Sequence, residues 1–211
     1  MCWMAVYAFM TFSIQLFLAG QSIFLDGTGG FSGGQIAIVN ACAFAPVPAT
    51  MLLYNFIGKK KGFQFGFNYA MITFAFAMGI CAMANRNIIA DPGMRFIAAM
   101  VSGFICSLGI GAFFSVTYIV PSHLAAKEKI ETGYSKPSMY FAIQGLFGAG
   151  VTGLATGPVL IALRQFGLTY LITAVVGIAL LLCSVLTVIL PRSVAVIGKE
   201  IKNKTAEEAD Q

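Results

Sequence analysis

Six apolar stretches, each of roughly 20 residues or more, divide this chain, and no Asp, Glu, Lys, Arg or His stands in the middle of any of them. They cover 3–25, 35–57, 65–84, 96–120, 137–163 and 168–190. A helix of about 20 apolar residues crosses a bilayer core and satisfies its own backbone groups while doing so. The stretches stop at recognisable punctuation. The glycine-rich segment 26–34 follows the first, Gly58 with Lys59, Lys60 and Lys61 the second, and the polar loop 85–95 the third. Pro121 and the charged segment 123–136 close the fourth, the turn 164–167 the fifth, and Pro191 the sixth. The pattern predicts an all-α integral membrane protein, a six-transmembrane-helix bundle over 1–190 followed by a charged tail, 191–211.

Composition excludes a soluble alternative. The chain is 58% hydrophobic and 10% charged, against about 45–50% and about 25% in soluble domains. Its mean hydropathy is +0.85. No soluble core hides that much apolar surface, so the lipid bilayer is the expected partner. The net charge of +5 sits in loops rather than on a basic face, which excludes a nucleic-acid surface. The amino terminus has no basic lead, and its apolar stretch is too long for a cleaved leader, so it reads as a span.

Lys and Arg orient the bundle, because they are retained on the cytoplasmic side. Of the 13 basic residues, Lys59, Lys60, Lys61, Lys127, Lys129, Lys136, Arg192, Lys199, Lys202 and Lys204 fall on one side. Arg86, Arg95 and Arg164 fall on the other. Both termini are therefore expected in the cytoplasm of a multi-pass plasma-membrane protein.

Embedded polar groups carry the functional reading. Tyr7, Thr11 and Gln15 recur every four residues on the first span, and Tyr140 and Gln144 repeat that spacing on the fifth. Gln21, Asn40, Asn55 and Asn68 are further embedded amides. An amide in hydrocarbon is costly without a partner. These groups therefore face either other helices, as interhelical hydrogen bonds, or a polar cavity. Amides and phenols both donate and accept, which suits a hydroxyl-rich ligand. Asp26 reads as a solvated loop residue and His123 as an interfacial one. The five cysteines stand in apolar runs without metal-ligand spacing, so they read as packing residues, with no metal site expected. Pro46, Pro48 and Pro158 should bend their helices, and the many glycines should let helices approach closely.

Two stretches resemble the major facilitator superfamily, in particular the glycoside–pentoside–hexuronide:cation symporter branch. Asn55-Phe56-Ile57-Gly58-Lys59-Lys60 is similar to the superfamily's loop motif, with Gly58, Lys59 and Lys60 matching. Ile119-Val120-Pro121, Thr132-Gly133 and Ser138-Met139-Tyr140-Phe141-Ala142-Ile143-Gln144 resemble the branch's region from helix ten to helix eleven. The resemblance implies the carboxyl-terminal half of the fold, helices seven to twelve, in a bacterial cell membrane. It implies a substrate site that includes Gln144, and a cytoplasmic gate at Gly58, Lys59 and Lys60. Two positions depart from the branch: His123-Leu124-Ala125-Ala126 replaces an acidic run, and Ala149 stands where sugar–sodium members carry lysine. The branch's cation-binding carboxylates belong to the other half, so a coupling ion, sodium or proton, has no seat in this chain and no cofactor is expected.

Taken with the two polar stripes, the expected site is Gln144, Tyr140, Gln15, Thr11, Tyr7 and Asn40. The expected function is alternating-access transport of a sugar or similar small polar solute, such as a glycoside, by cation-coupled symport. The expected partner is an amino-terminal six-helix half or a second six-helix bundle. Because the first span begins almost at residue 1, a truncated reading frame is the favoured account of the missing half. The alternative is a non-transporting six-helix accessory or interaction subunit. An enzyme is not expected, since no embedded Asp pair, Ser–His arrangement or metal cluster is present in the sequence.

Overall fold

The computed structural model describes residues 2–61, 63–134 and 136–165. The expected sixth span, 168–190, and the tail, 191–211, lie outside the described residues. Seven α-helices follow one another among these residues: α1 (Cys2–Phe24), α2 (Gly33–Phe44), α3 (Val47–Lys61), α4 (Phe63–Met83), α5 (Pro92–Thr132), α6 (Pro137–Leu154) and α7 (Leu160–Gln165). Among the described residues there is no strand. Among the described residues, four helical stretches are long and apolar enough to cross a membrane: Tyr7–Gly29, Gly33–Ile57, Pro92–Thr132 and Pro137–Leu163. The chain is thus an all-α membrane protein. The third expected span corresponds to α4, whose apolar part includes Met71–Met83.

Local chemistry accounts for the helix ends. Leu25–Gly29 forms a π turn that closes α1, and Gly30 adopts the left-handed conformation (φ 70°) needed to reverse the chain. Arg86 lies over Gly30, where any side chain would collide with its guanidinium. Ser32 and Gln35 make a reciprocal capping box at the start of α2. Asp91 caps α5 by accepting from the Met94 amide at 2.8 Å, with Pro92 in the first turn, where a missing N–H costs nothing.

The prolines behave in three ways. Pro46 separates α2 from α3, so one span is built of two helices with an interruption at residues 45–46. Pro48 falls in the first turn of α3, where it is tolerated. Pro158 stands in a second π turn, Ala155–Val159, beside Gly157 in a non-helical conformation (φ −92°, ψ −106°), and breaks the fifth span.

Pro121 departs from expectation. The sequence predicts a helix ending at Val120 and a charged loop beyond it, yet α5 runs through Pro121 for 41 residues. The following residues are good helix formers, and Lys127 pairs with Glu131 at 3.5 Å one turn on. Helix α5 stops at Gly133, which is left-handed (φ 73°) and donates back to the Lys129 carbonyl at 2.9 Å. His123 therefore sits half-buried within a helix rather than in a loop, while Asp26 is exposed as expected.

Helix α5 runs through the middle of the bundle against α2, α3, α4 and α6. Three glycines make this possible. Gly103 meets the Val39 carbonyl of α2, Gly109 meets Phe74 of α4, and Gly111 meets Thr50 and Met51 of α3. Hydroxyls tie the same helices. Ser102 donates to the Ala77 carbonyl of α4 at 2.7 Å, and Thr50 to the Ser107 carbonyl of α5 at 2.8 Å. Phe17 packs edge-on to Phe74 (5.7 Å), joining α1 to α4. Cys81 and Cys106 are fully buried packing residues.

A methyl at Gly103 would lie 2.8 Å from a backbone oxygen that cannot move aside. Gly103→Ala is expected to cost about 1–3 kcal/mol, read as a lower melting temperature in detergent. Gly79→Ala, with open space around it, is expected to leave that temperature unchanged or slightly raised.

Candidate functional site

A cavity of about 420 Å³ opens between α1, α2 and α5. Its size falls in the range of small-molecule sites, about 300–1,000 Å³. Helix α1 contributes Ile14, Gln15, Leu18 and Ala19; α2 contributes Asn40 and Phe44; α5 contributes Ile110, Phe113 and Phe114. The wall is thus mostly apolar and aromatic, with two amides, Gln15 and Asn40, brought together from different helices. Both are partly exposed. Phe44 and Phe114 are 48% and 41% exposed, so the cavity opens outward past their rings.

The remaining expected residues divide between two places. Tyr7 lies behind the wall, its ring stacked on Phe113 (6.2 Å, 9°) and its hydroxyl against Gly148 of α6, which leaves no room for a Cβ. Thr11 is buried on α1 between Tyr7 and Gln15, and its hydroxyl has no partner among the described residues. Neither residue is part of the cavity wall.

Tyr140 and Gln144 belong to a different structure, the seam between α5 and α6. Gln144 is buried and donates from Nε2 to the Thr117 carbonyl of α5 at 3.0 Å. Tyr140, one turn earlier, has its phenol beside the Glu128 carboxylate, also on α5. Phe141 packs on Tyr118 between these two contacts (6.2 Å). The polar stripe on α6 therefore joins helices, while on α1 only Gln15 reaches the cavity. Gly58, Lys59 and Lys60 stand in the last turns of α3; their side chains lie outside the described residues.

Sequence reading passed over the aromatic wall, Phe44, Phe113 and Phe114, because aromatic residues on a lipid-embedded helix carry no sign of which face they line. It also passed over Thr117. A signal for that residue was present: it stands four residues before Pro121, so its carbonyl is the one a proline leaves without a helical donor.

No family model, no curated protein and no solved structure matches this chain.

The cavity predicts selective accessibility. With the native cysteines replaced, Gln15→Cys and Asn40→Cys are expected to react readily with a small water-soluble methanethiosulfonate, and Thr11→Cys slowly. Equal rates at all three positions would show that water does not distinguish the cavity from the packed interior.

Proposed function

We propose that this chain is the carboxyl-terminal half of a secondary active transporter that moves a sugar or similar small polar solute by alternating access. The observation that carries the reading is the cavity, which joins Gln15 and Asn40 within an aromatic wall. Two amides supply donors and acceptors for ring hydroxyls, and phenyl faces suit the apolar faces of a sugar. Tyr7 and Thr11 form the supporting layer behind Gln15. Gln144 and Tyr140 hold α6 in place rather than meeting solute in this arrangement.

The reading places both termini in the cytoplasm of the plasma membrane, on the distribution of Lys and Arg. Helices broken at Pro46 and Pro158 and glycine-mediated contacts along α5 suit the rocking of one bundle against another. The partner bundle would supply the cation-binding carboxylates, and Lys59 and Lys60 would latch to acidic groups on it.

Cells producing the protein in its native reading frame are expected to accumulate a glycoside along an imposed sodium or proton gradient. Gln15→Leu and Asn40→Leu should each weaken apparent affinity about tenfold, the effect of leaving a solute hydroxyl unpaired, with unchanged membrane insertion. No accumulation across a panel of glycosides, pentosides and hexuronides would overturn the reading. Unchanged uptake by both variants would move the site elsewhere.

A further inference from the structure

Pro121 creates a defect in α5 that another helix repairs. Proline has no N–H, so the carbonyl four residues earlier, that of Thr117, loses its helical donor. A buried carbonyl without a donor is strongly unfavourable in a membrane interior. Thr117 is 7% exposed and Pro121 is buried, so solvent offers little relief. The Nε2 of Gln144 reaches this carbonyl from α6 at 3.0 Å. Thr117's own hydroxyl is turned elsewhere, donating to the Phe114 carbonyl at 2.7 Å.

We propose that Thr117, Pro121 and Gln144 form a conformational joint, in which the Gln144 amide stands in for the missing proline N–H. With the amide in place, the part of α5 beyond Pro121 moves as one body with the first turns of α6. With the amide withdrawn, that part swings about Pro121 independently.

Geometry supports the coupling on both sides of the proline. Beyond it, the Glu128 carboxylate lies beside the Tyr140 phenol, and before it, Tyr118 packs on Phe141. Tyr140, Phe141 and Gln144 thus engage α5 from less than two turns of α6, straddling Pro121. On the next turn, Gly148 lets the Tyr7 hydroxyl of α1 press against the α6 backbone. Tyr7 stacks on Phe113, one turn before Thr117 on α5 and part of the cavity wall. A change at the joint is therefore one turn from the cavity, through Thr117 and Phe113. The joint is a property of the helices and stands whether or not the cavity carries solute.

The test asks whether Gln144 matters because of the proline. Hydrogen exchange is followed by mass spectrometry over residues 122–132 of the whole protein in detergent. Gln144→Met, which keeps the volume and removes the donor, is expected to raise exchange there about fivefold, the effect of one lost interhelical bond. In a Pro121→Ala background the alanine N–H serves the Thr117 carbonyl. Adding Gln144→Met to that background should then change exchange by less than about twofold. A residue that merely fills space would show the same effect in both backgrounds. If Gln144→Met lowers the folded yield, the comparison is made on yield instead, and recovery by Pro121→Ala supports the joint. An equal loss in both backgrounds, or no change in either, overturns it.

Discussion

A carbonyl buried in hydrocarbon has no water to turn to, and most of this bundle can be understood as the means of supplying donors to such groups. Within each helix the backbone does this for itself. Where it cannot, or where a side-chain hydroxyl would otherwise be stranded, neighbouring helices exchange side chain-to-backbone bonds. Ser102 serves Ala77, Thr50 serves Ser107, and Gln144 serves Thr117. All three bonds begin or end on α5. Each is worth on the order of 0.6–2 kcal/mol, but each also fixes the register of two helices.

The same helix decides where the bundle is tight and where it is open. At Gly103, Gly109 and Gly111, α5 presents no side chain, and α2, α4 and α3 close onto its backbone. At Ile110, Phe113 and Phe114 it presents bulk, and α1 and α2 stand off to leave the cavity. Gly111 and Ile110 are neighbours in sequence, yet they face different helices with opposite consequences. Small and large residues alternating around one helix thus produce both the scaffold and the recess. The two amides in that recess come from α1 and α2, so the site exists only while those helices keep their places around α5.

Much of the helical framework was legible from the chain. Long uncharged apolar runs predict helices wherever lipid is the solvent, and α1, α5 and α6 lie where such runs stand. The helix breaks at Pro46 and Pro158 were likewise visible, because proline removes a donor locally. The candidate site was legible only in part. The i, i+4 stripes on the first and fifth spans marked polar faces, but not their different uses. Gln15 faces a recess and Gln144 a helix backbone. Spacing assigns residues to a face; it does not say what that face meets.

Pro121 marks the boundary between what the two levels of description decide. Composition and the placement of charge determined by themselves that lipid is the solvent and that the chain answers with helices, because both follow from each segment's own transfer energy. Local rules also flagged Pro121 as a stop. Only the tertiary structure decided where the Thr117 carbonyl finds its donor, because that donor arrives from Gln144, 23 residues beyond the proline on another helix. The cavity belongs to the same level: Gln15, Asn40 and Phe113 become one wall through helix rotation and approach, which depend on the residues of several segments at once.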